Sequence, residues 1–345
     1  MNNLKDVLVT GGNGFVGMQI ILQLLKKGYF VKTTIRSIKS KDAIIETLEK
    51  NGFSDFSKLS FIEAELTKDD NWSIAMQDCK YVLSVASPVF LENPKDEKEA
   101  IKPAVEGVLR ILKHANKAGV KRVIMTSNFG AVGFSQTDKN RVTTEDNWTD
   151  VNLKGLSVYE KSKTLAEKAA WEYIENNGGN LEFVTINPVA ILGPSLNSHV
   201  SESFGILRNL LDGSMKAVPN IPLNIVDVRD VADLHIRAML APEANGHRFI
   251  ASADGQISMP EIAAFIKKYK PEIANKVTTK IIPNFILRVA SLFNSKAKQG
   301  VMFLNINRNV SNQKAKNILG WSPISTNENA IIASIESLVK YEFSK

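Results

Sequence analysis

Asp6-Val7-Leu8-Val9-Thr10-Gly11-Gly12-Asn13-Gly14-Phe15-Val16-Gly17 reads as a short buried strand, a glycine-rich turn and the opening of a helix. The helical pattern continues through Met18-Gln19-Ile20-Ile21-Leu22-Gln23-Leu24-Leu25 and ends at Gly28. In that order the three pieces form the start of a dinucleotide-binding βαβ unit, where bare backbone approaches a pyrophosphate at a helix N-terminus. Gly11, Gly14 and Gly17 depart by one residue from the usual G-x-G-x-x-G, and Gly12 adds a further permissive position. An ordinary strand-to-helix turn also uses glycine for its dihedrals, but the flanking strand and helix favour a cofactor site. Its candidate contacts are Gly11, Gly14, Phe15, Val16 and Gly17.

The next strand, Phe30 to Ile35, delivers Arg36 and Ser37 to the place where the adenosine ribose of a bound dinucleotide lies. NAD calls for a carboxylate there to take the ribose 2′-hydroxyl, whereas an arginine with nearby donors suits a 2′-phosphate. The expected cofactor is therefore NADP(H) rather than NAD(H). Lys39 and Lys41 add positive potential at the same corner.

Strands and helices alternate onward. Leu59 to Ile62 reads as a third strand, Tyr81 to Ala86 as a fourth, Lys121 to Met125 as a fifth and Glu182 to Ile186 as a sixth. A helix is expected from about Lys102, with Pro103 in its first turn and an apolar face at Val105, Val108, Ile111, Leu112 and Ala115. Such alternation requires parallel pairing with right-handed crossovers, and ligands then lie across the C-terminal ends of the strands. The fold class expected is α/β, a Rossmann-type doubly wound parallel sheet.

Tyr159 and Lys163 stand four residues apart at the start of another helical run, which puts a phenol and an ammonium on one face. A neighbouring positive charge stabilises phenolate, so the tyrosine pKa is expected to fall toward working pH and to make a proton donor for a carbonyl. Tyr-x-x-x-Lys alone is weak, since such pairs arise by chance on many helices.

Taken with Thr10 to Gly17, Arg36-Ser37, Ala86-Ser87-Pro88, Met125-Thr126-Ser127, Tyr159 to Lys163 with Ala166-Glu167-Lys168-Ala169-Ala170-Trp171, Asn187-Pro188 and Val226 to Ala232, the chain resembles the extended short-chain dehydrogenases/reductases. Within them it is most similar to the dihydroflavonol reductase and aldehyde reductase branch, from Val7 to about Pro323. The resemblance implies a smaller C-terminal substrate lobe on the main sheet. It also implies that Lys163 hydrogen-bonds the nicotinamide ribose, that Ala86, Ser87 and Pro188 wall the cofactor, and that Glu65 and Leu66 lie near the adenine. The domains expected are an NADP-binding part over 1–190, with 223–252 returning to the main sheet, and a substrate lobe over 191–222 and 253–345. The chain departs from the family's pattern after the fifth strand. Alignment puts Asn128 where the family carries its catalytic serine, with Ser127 beside it. An asparagine amide donates a hydrogen bond to a carbonyl oxygen much as a hydroxyl does, so either Asn128 or Ser127 is the candidate that polarises the substrate.

Composition sets the remaining limits. At 345 residues the chain can bury one large core or a core with a satellite lobe. No apolar run is long enough to span a bilayer, and the N-terminus does not read as a secretion signal, so a cytoplasmic protein with no membrane partner is expected. The single cysteine, Cys79, excludes an intrachain disulfide. The net charge of +7 is spread over helices and loops rather than packed in one stripe, so nucleic acid is not expected. His114, His199, His235 and His247 show no metal-ligand spacing; only His199, in the substrate lobe, invites attention. Val89, Phe90, Leu91, Phe129, Phe134, Leu192 and Phe204 are candidates for an apolar pocket, with Phe90 and Phe129 foremost. They favour a modest apolar or aromatic carbonyl over a nucleotide sugar, whose diphosphate needs cations such as Arg208. A monomer or homodimer is expected. Two rival classes remain: a nucleotide-sugar epimerase or dehydratase on the same fold, and an NADP(H)-binding redox sensor that has lost its chemistry, a reading that Asn128 invites.

Overall fold

The computed structural model describes residues 6–87 and 96–343. Seven parallel strands build the main sheet: β1 (Asp6–Thr10), β2 (Val31–Ile35), β3 (Leu59–Glu63), β4 (Cys79–Ser84), β5 (Arg122–Thr126), β6 (Glu182–Pro188) and, late in the chain, β11 (Arg248–Ala251). Their order is β3-β2-β1-β4-β5-β6-β11. Chain direction across the sheet reverses between β1 and β4, which is where a doubly wound sheet opens its ligand crevice. Val7, Leu8, Val9 and Thr10 are fully buried, as a strand covered on both faces must be.

One face carries α1 (Phe15–Lys26), α2 (Lys41–Lys50), α8 (Val228–Leu240) and α12 (Gln313–Leu319) over a core that includes Ile20, Ile21, Leu24, Val231 and Phe249. The other carries α3 (Trp72–Met76), α4 (Glu97–Lys117) and α6 (Val158–Asn177) over Trp72, Ile111, Leu112, Ala166 and Phe183. A short turn of helix, α5 (Gly130–Gly133), follows β5. The helix expected to open near Lys102 starts at Glu97 instead. Asp96 caps it, its Oδ1 accepting from the Lys98 amide at 2.8 Å, and this start signal lies ahead of the apolar periodicity. Pro103 therefore stands inside the helix rather than in its first turn, where it cannot donate to the carbonyl four residues earlier.

The remaining elements form a second layer beyond the C-terminal ends of the strands. They are β7 (Ala190–Leu192) paired with β10 (Ile225–Asp227), β8 (Val218–Pro219) with β13 (Ile281–Ile282), and β9 (Pro222–Leu223) with β12 (Ile257–Ser258). With them go α7 (Phe204–Leu211), α9 (Met259–Tyr269), α10 (Asn284–Ala290), α11 (Ser295–Asn305) and α13 (Asn327–Leu338). Phe204, Leu207, Leu210, Ile262, Ile331 and Ile335 form its core, and Phe15 from the first turn of α1 belongs to the same cluster. The layer thus rests directly on the glycine turn.

Of the stretch 223–252 expected to rejoin the main sheet, only β11 does so. Residues 225–227 pair with β7, the continuation of the chain past Pro188, because β11 already occupies the outer edge of β6 from Thr185 to Pro188.

Candidate active site

The β1–α1 turn is shaped around bare backbone. Gly11 has φ +72°, and a Cβ on it would come within 3.1 Å of the Ala86 Cβ; a Cβ on Gly17 would lie 2.4 Å from the Gly11 carbonyl oxygen. A side chain is shut out at Gly17 by backbone and strained at Gly11 by the left-handed dihedral. Thr10 Oγ1 accepts from the amides of Val85 and Ala86 at 2.9 Å each, which ties the end of β4 to the end of β1. The N-terminus of α1 starts at Phe15 with Gly14 as its cap and no side-chain cap bond, so its first amides and its dipole are presented to whatever lies over the turn. Those features fit a dinucleotide pyrophosphate.

Arg36 is exposed at the end of β2, with Ser37 next to it, and its charge helps hold the Glu65 carboxyl below the usual range, after the larger contribution of Lys68. A cleft then runs along the strand ends between Leu66, Ala86, Ser87, Met125, Thr126 and Lys163. Pro188 closes β6 and is buried. The cleft brings together the expected residues Leu66 from after β3, Ala86 and Ser87 from after β4, and Lys163 of α6. Phe90, with Pro88, Val89 and Leu91, lies outside the described residues.

Tyr159 and Lys163 occupy the first turns of α6, whose cap Ser157 accepts from the Glu160 amide. The Lys163 ammonium lies 5.4 Å from the centre of the Tyr159 ring and donates to Ser87 Oγ at 2.5 Å. Burial pulls Lys163 down to about 8. Burial likewise pushes the Tyr159 phenol well above its ordinary value, helped by the carboxyls of Glu202 and Glu160. The lowered tyrosine pKa expected from the lysine alone is therefore not met, because removal of water from the phenol outweighs a charge that is itself buried. A tyrosine held protonated is still a proton donor.

Asn128 and Ser127 point apart, as successive residues at a strand end do. The Asn128 side chain lies near enough to the Tyr159 phenol to pull its pKa down slightly against the larger effect of burial, and its Oδ1 accepts from the Gly130 amide at 2.5 Å. Ser127 is buried and donates its hydroxyl to Glu167 Oε2. Asn187 completes the arrangement, its Nδ2 donating to Glu167 Oε2 at 2.7 Å and to the Asn128 carbonyl at 3.3 Å.

Phe129 is only 2% exposed and its ring packs over Gly133, so it faces the core and does not line the cleft. Phe204 and Leu192 are buried in the second core, while Phe134 stacks edge-on between Phe129 and Phe303. Arg208 is held by a two-pronged pair with Glu342, at 2.7 and 2.6 Å, which leaves it committed within the protein. Among the described residues no His, Cys, Asp and Glu cluster could hold a metal ion. His199 only shapes a turn, its amide donating to Asn197 Oδ1 at 2.8 Å.

Two acidic groups at the site were not singled out from sequence. Glu160 is buried with Oε2 unpartnered, and Glu202 is exposed just ahead of α7, close enough to act on Tyr159, Glu160 and Lys163. Glu160 carried a signal in its adjacency to Tyr159; Glu202 carried none, because only folding brings it there.

Residues 8–257, more than half of the chain, match the model of the 3-beta hydroxysteroid dehydrogenase/isomerase family. The chain belongs to that family. It is an extended short-chain dehydrogenase/reductase and an oxidoreductase. An anthocyanidin reductase ((2S)-flavan-3-ol-forming) of Vitis vinifera is 35% identical over 283 residues, 78% of this chain and 82% of that protein. A dihydroflavonol 4-reductase of Hordeum vulgare is 34% identical over 263 residues, 74% and 73% of the two chains. Among solved structures, the yeast methylglyoxal/isovaleraldehyde reductase Gre2 complexed with NADPH superposes with a TM-score of 0.80 at 26% identity, covering 99% of this chain and 100% of that one. The family's fold is the one expected from sequence. A UDP-glucose 4-epimerase of Thermotoga maritima, at 18% identity and a TM-score of 0.73, shares the fold alone.

Proposed function

We propose that the protein is an NADP(H)-dependent reductase of aldehydes or ketones with Tyr159 as its proton donor. The observation that carries this reading is the pairing of Tyr159 with Lys163, which lines a cleft at the strand ends together with Ala86, the residue against which the bare Gly11 backbone packs. The cofactor is NADP(H), since Arg36 and Ser37 stand where a 2′-phosphate needs a cation and a donor, and Gre2, a structural relative, is complexed with NADPH. When bound, it supplies the hydride. Gly11, Gly14, Phe15, Val16 and Gly17 hold the pyrophosphate against the α1 N-terminus, with Ala86, Ser87 and Pro188 as walls and Glu65 and Leu66 toward the adenine. Lys163, which donates to Ser87 Oγ, would hold the nicotinamide ribose. Asn128 orients the substrate carbonyl, and Tyr159 passes its proton to the oxygen. Residues 1–190 with the β11 strand carry the cofactor, and the layer over 191–222 and 253–345 closes over the substrate.

The relatives named as anthocyanidin and dihydroflavonol reductases support an aromatic carbonyl or a related small apolar one. Pairing of Arg208 with Glu342 removes the cation that would have favoured a nucleotide sugar. The test is NADPH oxidation over a panel of aldehydes and ketones with the wild type and Tyr159→Phe. The wild type should turn over, and the variant should lose at least about a hundredfold while keeping its NADPH affinity. Full activity in Tyr159→Phe ends this mechanism. NADPH binding without turnover of any carbonyl favours the sensor, and release of NAD on denaturation favours the epimerase.

A further inference from the structure

Helix α10 wears its apolar side outward. Phe285, Ile286, Val289, Leu292 and Phe293 follow the spacing of one helical face, running from α10 into the turn after it, and they are 69%, 46%, 58%, 75% and 87% exposed. Ile281 of β13 adds a further exposed side chain at 51%. The inward residue is Leu287, which meets Gly300 of α11 and is 7% exposed. A surface helix of a protein surrounded only by water has the opposite pattern. A contiguous apolar face of this kind marks a contact.

Charge decides what the contact is. From residue 273 to residue 327 the chain contains no Asp or Glu. On α10 and the elements next to it in the chain, Lys280, Arg288 and Lys298 are all exposed. In a two-fold contact between copies of the chain the same patch would meet itself, and these cations would face their own mates with no carboxylate in the stretch to neutralise them. An anionic lipid surface satisfies both features at once, taking the aromatic and aliphatic side chains among its acyl chains and the cations at its headgroups. We propose that α10 and its flanking turn dock the protein on the surface of an anionic membrane. Among the described residues no helix is long and apolar enough to cross a membrane, so the docking is by one face only. The expectation of no membrane partner, drawn from the absence of a spanning run, did not address a contact of this kind.

Flotation of the full chain with vesicles tests it. The wild type should float with phosphatidylcholine vesicles containing phosphatidylserine, and at least about tenfold less with phosphatidylcholine alone or at high salt. Combining Phe285→Ser, Leu292→Ser and Phe293→Ser should abolish flotation while the thermal midpoint and NADPH turnover stay those of the wild type, because these side chains are already in water. Lys280→Glu with Lys298→Glu should remove only the phosphatidylserine dependence. Wild type that does not float, or a triple serine variant that floats as well as wild type, overturns the proposal. So does sedimentation showing a wild-type dimer that the triple variant splits, which would give the face to a second copy of the chain.

Discussion

Asn128 and Ser127 are neighbours in sequence with opposite surroundings, one at the Tyr159 phenol and one at the buried Glu167 carboxylate. Asn128→Ala should lower kcat roughly tenfold to a thousandfold, the range for loss of one preorganised donor, and Asn128→Ser should retain or raise it. Ser127→Ala should instead lower the unfolding midpoint by a few degrees with a smaller loss of turnover, because it removes a buried partner of Glu167. Steady-state kinetics and thermal melts on the three variants separate the two roles; a larger kinetic loss in Ser127→Ala would reverse them. At the end of β2, Arg36→Asp should weaken NADPH binding by more than about tenfold and leave NADH unchanged or improved, since it exchanges a charge-assisted hydrogen bond for like-charge repulsion. Equal losses for both cofactors in a binding titration would remove Arg36 as the selector.

At the scale of elements, α8 is joined to β5 at one end by Arg122, which donates to the Ala238 and Met239 carbonyls, and at the other by a histidine. His235 is fully buried, with Nδ1 on the Val231 carbonyl and Nε2 on Thr126 Oγ1, both at 2.7 Å. The Val231 oxygen can only accept, so Nδ1 carries the proton and Nε2 accepts from the threonine. Burial pulls this imidazole down to about 4. Its folded pKa lies below the unfolded value of about 6.5, so the unfolded chain binds the extra proton first. The stability that it contributes is complete above pH 6.5 and is lost as pH falls toward 4, a loss on the order of 3 kcal/mol. His235→Gln should flatten that part of the pH dependence in urea unfolding; an unchanged slope between pH 6.5 and 4 would place the acid sensitivity elsewhere. The existence of β1 to β6 was legible because each is a short apolar run closed by turn residues. The start of α4 was not, since its first turn is polar and only the Asp96 cap announces it.

Across the whole molecule, Glu167 of α6 and Arg248 of β11 form a buried pair at 2.7 Å. Arg248 also donates to the carbonyls of Glu145 and Asn147 at 2.7 Å and lies 3.7 Å from the centre of the Trp148 ring. The pair locks the strand that returns from the second layer to the helix that carries Tyr159. Glu167→Ala should destabilise the fold by about 3–5 kcal/mol, because it leaves a buried guanidinium without its counter-charge. Replacing both partners, Glu167→Gln with Arg248→Met, should recover most of that loss. Urea midpoints decide, and a double variant no more stable than Glu167→Ala would show that the backbone contacts of Arg248 dominate.

The sequence by itself determined the kind of sheet, the bare glycine turn after β1 and the placing of Tyr159 beside Lys163, because these follow from local patterns: apolar runs of strand length, a glycine-rich turn, and a helical spacing of four. Only the tertiary structure decided that Asn128 faces Tyr159 while Ser127 is taken by Glu167, that Phe129 belongs to the core, that residues 225–227 leave the main sheet, and that α10 turns its apolar face to solvent. Each of these depends on which distant segment has already filled a space or claimed a hydrogen bond. The direction of the Tyr159 shift belongs with them, because a phenol's pKa responds to the water that folding removes as well as to the charge that the sequence places beside it.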